Sequence, residues 1–160
     1  MTVIFVVGSR VALEYILDNE VMAFRAAVKT ELLTEGMKFA IYTTRGAYGN
    51  PSKDRSQILA LGRLVSGVTD HPHSIGHELF PRSCQLRIEA RLPWRNGLLF
   101  EPLIDELAFV GGRRRYSSVF HRTIVKVPVK DFDRISSDVI AKIEDLNRLS
   151  RLARKADELE

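Results

Sequence analysis

A stretch of strict polar and apolar alternation constrains the fold more than any other feature of this sequence. Between residues 84 and 92, apolar side chains occupy every second position, namely Cys84, Leu86, Ile88 and Ala90. A period of two is that of a β-strand with one buried and one solvated face. The chain is therefore expected to contain a sheet that covers a core with one side.

Other segments complete a mixed pattern of strands and short helices. Strands are predicted at residues 3–7, 37–43, 58–68 and 124–127, where β-branched and aromatic residues cluster. Short helices are predicted at 11–17, after Ser9 as a cap, at 29–33 and at 100–107. We therefore expect an α+β fold, a small mixed and partly closed β-barrel of about five or six strands with short flanking helices and a C-terminal helix.

The C-terminal helix is expected to begin near a capping Asp131. Apolar residues follow at helical spacing, at Ile135, Val139, Ile143, Leu146 and Leu149. We place a barrel domain at residues 1–135 and an amphipathic helix at 136–160. That helix is expected to pack on the barrel or to mediate contact in a homodimer.

Charge and cysteine content narrow the class of protein. The 160 residues carry a net charge of +4 and have a pI of about 9.4, which permits binding of a polyanion. One cysteine, Cys84, excludes an intrachain disulfide and a cysteine metal site, and it fits a reducing compartment. The apolar run at 2–7 is far shorter than the ~20 residues of a membrane span. We expect a cytoplasmic protein with no membrane partner.

A cationic turn is the strongest local indication of a ligand. Gly111-Gly112 precedes Arg113-Arg114-Arg115, with rings beside it at Tyr116 and Phe120, and basic residues continue to Lys126. Guanidinium groups bind phosphates, and aromatic faces stack on bases. The competing interpretation is a solvated basic turn that leads into a core strand.

The order of these elements resembles the EVE domain of the PUA-like superfamily, which also includes YTH and ASCH domains. The resemblance covers about residues 3–135 and rests on Gly36–Tyr42, Leu61–Ser66, Phe80-Pro81-Arg82, and Pro102–Ile104 with Leu107–Val110, Asp131-Phe132 and Ile135. Family members carry an early Trp-Gly where this chain has Phe24-Arg25, and an acidic residue where it has Met37. The resemblance implies a PUA-like barrel that binds DNA or RNA and holds a modified base in a pocket.

Candidate residues for such a pocket lie near the motif positions. Phe24 is expected to form a stacking wall beside Arg25, while Tyr42 and Trp94 are the other rings near the motifs, and each fits either the pocket or the core. The small hydroxyl residues among the remaining candidates are Ser9, Thr43, Thr44 and Ser117. The phosphate-binding candidates are Arg10, Arg45, Arg82, Arg114 and Arg115. The cationic turn adds Tyr116, Phe120 and His121. Each has an ordinary alternative, since hydroxyls cap turns and arginines are commonly solvated.

Catalysis is the weaker hypothesis for this chain. His71 and His73 flank Pro72 as a His-x-His pair, but no third ligand stands at a secure spacing, so no metal site is expected. No nucleophile elbow, phosphate-binding glycine loop or paired carboxylate motif is present. We therefore expect a noncatalytic binding module with no cofactor. A protein-interaction subunit that uses the C-terminal helix is the alternative, and a small metal-dependent hydrolase ranks below both.

Overall fold

Seven of the nine strands in residues 1–159 join in one curled sheet that leaves two strand edges unpaired. A computed structural model describes residues 1–159. Its main path runs in the order β2 (Val21–Phe24), β7 (Arg82–Arg91), β4 (Gln57–Leu64), β3 (Lys38–Thr43), β1 (Thr2–Val7) and β9 (Ile124–Val127). The sheet curls into a half-barrel, and its two ends are β2 and β9.

Two smaller elements add to this sheet. The short strand β8 (Leu98–Leu99) pairs with β4, while β5 (His73–Ile75) and β6 (Glu78–Phe80) form a separate hairpin. Strand β1 is parallel to β3 and antiparallel to β9. The α+β fold with a barrel-like sheet is therefore confirmed.

The composition of the central strands follows from their burial. In β1, β3 and β4 nearly every side chain is buried, because the sheet is covered on both faces. Strand β7 alternates as predicted, with Cys84 and Leu86 buried and Gln85 and Arg87 exposed. The apolar face of β7 packs into the core, and its polar face meets solvent.

Gly62 marks a close approach between β4 and β7. The pairing shifts register between Leu61 and Gly62, as a β-bulge does. A Cβ atom at Gly62 would lie 2.0 Å from the Arg87 carbonyl oxygen and 2.7 Å from the Phe39 ring. Only a glycine fits between these two neighbours.

Three α-helices and three short 3₁₀ segments pack around the sheet. Helix α1 spans Arg10–Asn19, α2 spans Tyr116–Val119 and α3 spans Val129–Glu158. The 3₁₀ segments are Arg45–Tyr48, Glu101–Glu106 and Ala108–Val110. The predicted cap of α1 is confirmed, since the Ser9 hydroxyl accepts a hydrogen bond from the Ala12 amide. Among residues 1–159, no helix has both the length and the apolar character that a membrane crossing requires.

Several predicted boundaries were wrong. Residues 29–33 form turns instead of a helix, and the strand predicted at 58–68 ends at Leu64. Asp131 does not cap α3, because the helix begins two residues earlier, at Val129. The Asp131 carboxylate instead accepts a hydrogen bond of 3.0 Å from the Phe109 amide. Asp131 thus joins α3 to the preceding loop.

Candidate binding groove

The rings predicted to stack on a base mostly stack on one another. Phe24 is completely buried and packs edge-on against Phe5. Phe120 is also buried, and its ring lies parallel to that of Tyr42 at a centroid distance of 4.0 Å. Burial raises the pKa of Tyr42 to about 12. Phe24 and Phe120 therefore present no face to a ligand, because both rings complete the core, while Tyr116 is half-buried.

The predicted hydroxyls divide in the same way. Thr43 is fully buried, and its Oγ1 bonds to the Tyr48 hydroxyl at 3.0 Å inside the core. Thr44 is half-buried, and its amide donates to the Val7 carbonyl at 3.1 Å. Ser9 and Ser117 are exposed. Of the four, Ser9 alone lines a cavity described below.

Three of the predicted arginines, Arg10, Arg25 and Arg82, have structural partners, and the pair that Arg25 forms with Glu78 is described below. Arg10 pairs with Glu14 along α1. Arg82 donates to the Val28 carbonyl at 2.6 Å, to the Ala26 carbonyl at 3.1 Å and to the Thr30 hydroxyl at 2.9 Å. Arg82 therefore fastens the segment that follows β2 instead of projecting toward a phosphate.

The other cations of the prediction lie at the surface. Arg45, Arg114, Arg115 and His121 are exposed. Within residues 1–159, none of these three arginines forms an ion pair, whereas Arg113 pairs with Asp105 at 3.1 Å. They are available to a polyanion, but they line none of the main cavities.

A large cavity lies where the half-barrel remains open. It has a volume of about 740 Å³ and is open to solvent. One wall is β9 at the sheet edge, and the other is the segment from Val28 to Leu32 after β2. Phe109 and the end of α2 complete it. We call this cavity the cationic groove.

Every ionisable side chain that lines the cationic groove is basic. These residues are Lys29, Arg122 and Lys126, and all three are exposed. None of them forms an ion pair with another part of the described chain. Three uncompensated cations on the walls of one cleft create a positive potential that concentrates anions there.

The free edge of β9 adds hydrogen-bonding groups to the groove. The Thr123 carbonyl accepts from the Val6 amide at 2.9 Å, so Thr123 faces β1. Because residues of an antiparallel strand alternate in the neighbour to which they bond, Val125 also faces β1, and Ile124 and Lys126 face away. The backbone groups of Ile124 and Lys126 are therefore directed toward the groove side.

A second cavity adjoins the cationic groove at Thr123, which lines both. This small cavity has a volume of about 350 Å³ and lies between the end of β1, the start of α1 and the β5–β6 hairpin. Most of the residues that line it are apolar, and they include Phe80; Ser9, Thr123 and Arg25 are the polar ones. An apolar chamber with a few polar groups is typical of sites that bind flat organic ligands.

An ion pair holds the hairpin over the small cavity. The Arg25 guanidinium donates to both Glu78 carboxylate oxygens, at 2.6 Å and 3.1 Å, and lies 5.6 Å from the centre of the Phe80 ring. The bond from Arg25 lowers the pKa of Glu78. At the other side of the hairpin, the Tyr15 hydroxyl lies 2.6 Å from His73 Nδ1. The hairpin is thus attached at two points.

The His-x-His pair belongs to this hairpin region. The rings of His71 and His73 are 5.1 Å apart, and Nδ1 of His73 is engaged by Tyr15. Burial and the neighbouring His71 lower the pKa of His73. Within residues 1–159, no group of three or more metal-binding side chains comes together.

Sequence patterns alone missed most of the cavity lining. Arg122 and Lys126 fall inside the basic stretch that was noted, but Lys29 was assigned to a helix. Lys29 joins the other two because the curl of the sheet brings the segment after β2 close to β9. Phe80 was considered as part of a strand-entry motif and not as a pocket ring.

Comparison with known proteins identifies the fold alone. No family model matches the chain, and no curated protein matches it. The chain is similar to the solved structure of a hypothetical protein from Leishmania major, with a TM-score of 0.55 and 10% identity over 88% of this chain and 95% of that one. At this level of identity the likeness shows a shared fold and assigns no function.

Proposed function

We propose that this protein is a noncatalytic nucleic-acid-binding module. It binds the sugar–phosphate backbone in the cationic groove and receives one base, selected for a modification, in the small cavity. The observation that carries the proposal is the groove itself, an open cleft of about 740 Å³ in which all ionisable lining residues are basic. We further propose a cytoplasmic location, where Cys84 stays reduced.

The groove supports this proposal through its charge and its backbone edge. Lysine and arginine side chains bind phosphate groups, and backbone amides contribute as well. Lys29 approaches from one wall, and Arg122 and Lys126 from the other. A phosphate chain lying between these walls would meet cations on both sides.

The small cavity supports the base-binding part of the proposal. Its volume of about 350 Å³ falls within the range of ~300–1,000 Å³ that is common for small-molecule sites. Phe80 supplies a ring, and Ser9, whose hydroxyl caps α1, and Thr123 are polar residues of the same lining. In this proposal Phe80 takes the stacking role that was expected of Phe24.

Kinship with the EVE domain is part of the same proposal. The resemblance implies a modified-base reader, and the cavity beside the cationic groove offers a chamber of suitable chemistry. The arrangement that we propose differs from the expected one, because the groove cations are Lys29, Arg122 and Lys126. Exposed Arg114 and Arg115 would extend the contact along the same ligand.

A binding panel tests the proposal directly. We expect the protein to bind short DNA or RNA oligonucleotides with an affinity that falls as salt rises, because bound phosphates release counterions. Fluorescence anisotropy on labelled oligonucleotides, with and without modified bases, measures both the affinity and its salt dependence. Absence of binding at low salt, or binding that is independent of salt, would refute the proposed function.

Filling the small cavity tests base selection separately. Ala12 lines this cavity from helix α1, so Ala12→Leu adds bulk to it while keeping a strong helix former. We expect this variant to lose any preference for a modified base and to keep its affinity for unmodified strands. A preference unchanged in Ala12→Leu would place the base elsewhere. A matched control is Ala141→Leu, an exposed alanine on α3 that lines neither cavity.

A further inference from the structure

Helix α3 is longer than the surface on which it packs. It contains 30 residues, which corresponds to about 45 Å. Ile135 and Val139 are fully buried against the sheet, and Ile143 and Leu146 still pack on the core. The last polar tie to the body is the bond of 2.7 Å from Lys142 Nζ to the Gly97 carbonyl. The residues after Leu146 extend beyond the barrel.

The apolar stripe of the helix continues beyond Leu146, the last residue that packs on the core. Leu149 and Leu152 are 58% and 56% exposed, and Ala153 and Ala156 follow at helical spacing. Because successive residues are rotated by about 100°, Arg151 projects about 200° away from Leu149 and leaves the stripe free of its charge. This stripe is thus an unpartnered apolar surface on an otherwise highly charged segment.

A shallow notch lies at the start of the projecting segment. It has a volume of about 300 Å³ and is lined by Arg91, Leu92 and Pro93 of the body and by Ile143, Leu146 and Asn147 of the helix. Leu146 lines the notch, and the exposed stripe begins one helical turn later, at Leu149. A partner that covers the stripe would therefore also reach the body.

The charges of the segment select the partner. Glu144 and Asp145 precede Ser150, and Arg154 and Lys155 follow it at similar spacings. An antiparallel pairing of two copies about Ser150 places the acidic pair of each helix level with the basic pair of the other. A parallel pairing places each charge level with its like, which is unfavourable.

We infer that the projecting half of α3 binds the same segment of a second copy of this chain, antiparallel and with a two-fold axis near Ser150. This arrangement is closed, since one patch covers its own copy. In it, Leu149 lies near the axis, and Ala156 of each helix approaches the notch of the other copy. Asp145 of one copy lies level with Lys155 of its partner. This inference is independent of the proposed binding of nucleic acid.

Sedimentation of the full chain tests self-association. We expect a monomer–dimer equilibrium within roughly 1–100 µM, the affinity range of modest interfaces. Leu149→Lys should weaken the dimer at least about tenfold, because it places a charge at the centre of the interface. Ile140→Lys is the matched control, since Ile140 is 46% exposed on the opposite side of the helix. A monomer throughout that range, or a dimer that resists Leu149→Lys, would overturn the inference.

A charge exchange tests the antiparallel alignment. Asp145→Lys and Lys155→Asp should each weaken the dimer, and the double variant should recover most of the lost affinity. All of these positions are exposed, so the fold is expected to persist, and circular dichroism checks it. If the double variant shows the sum of the two losses, the antiparallel alignment is wrong.

Discussion

The charge of the cationic groove provides the sharpest prediction about this protein. We consider the variant in which Lys29, Arg122 and Lys126 are all replaced by glutamine. The three side chains are exposed and form no ion pairs within residues 1–159, so their replacement should change the free energy of unfolding by less than about 0.5 kcal/mol. Any loss of binding can then be attributed to the interface.

The expected loss follows from counterion release. Each phosphate neutralised on a single strand contributes about 0.7 to the slope of log affinity against log salt. Three contacts contribute about 2.1 to this slope. With equal affinities of the variant and the original protein at 1 M salt, the variant binds about 50-fold more weakly at 0.15 M salt and about 500-fold more weakly at 0.05 M. For a duplex the slope changes by about 2.7 and the loss at 0.15 M rises to about 170-fold.

Anisotropy titrations across a series of salt concentrations measure both quantities. The single variant Arg122→Gln should lower the slope by about 0.7 and the affinity at 0.15 M by about fourfold. The control is Arg87→Gln, since Arg87 is an exposed cation on β7 that does not line the groove. If the triple variant loses less affinity than this control, or keeps the slope of the unmodified protein, the groove is not where the phosphates bind.

Three further predictions concern the fold and its titrating groups. Gly62→Ala should destabilise the protein by about 1–3 kcal/mol or more, because the new Cβ would lie 2.0 Å from the Arg87 carbonyl oxygen. Urea unfolding measures this change, and a free energy of unfolding within about 0.5 kcal/mol of the original would contradict the prediction. Cys84 is buried and its pKa is raised to about 12, so it should react with thiol reagents at pH 8 only as the protein unfolds, and rapid labelling of folded protein would argue otherwise. Burial lowers the pKa of His73 below its usual 6.5, so its contribution to stability is present above that pH and is lost as the pH falls below it. Stability should therefore decrease less between pH 7.5 and about pH 5 in His73→Asn, and an equal decrease would show that the pKa of His73 is not lowered in the folded protein.

Local patterns predicted the five strands β1, β3, β4, β7 and β9, but they missed β2, β5, β6 and β8 and predicted a helix at residues 29–33 that does not form. The alternation of β7 and the apolar runs of β1 and β3 are properties of short segments, and each was recognised from a few neighbouring residues. The segment at residues 29–33 had helix-forming residues, yet it does not form a helix. Arg82, from a distant strand, donates to the Thr30 hydroxyl and to the carbonyls of Ala26 and Val28 just before the segment, and so holds the chain in another path. A prediction made from neighbouring residues takes no account of a partner about fifty positions away in the sequence.

In the candidate site, too, neighbouring residues predicted one part and distant contacts decided the rest. The basic stretch that includes Arg122 and Lys126 was visible in the order of residues, and so was the presence of rings beside it. Burial decided which rings remain available: Phe24 and Phe120 entered the core, because each could pack against another aromatic ring, and Phe80 stayed half-buried at a cavity wall.

The amino-acid sequence by itself determined that this chain forms a basic, sheet-rich domain followed by a long amphipathic helix. Those properties depend on composition and on periodicity, which can be read from the order of residues alone. Only the tertiary structure decided where the half-barrel stays open and which cations line the opening. Lys29 and Lys126 are almost a hundred positions apart, and what brings them to one groove is the curvature of a sheet whose two edges do not meet.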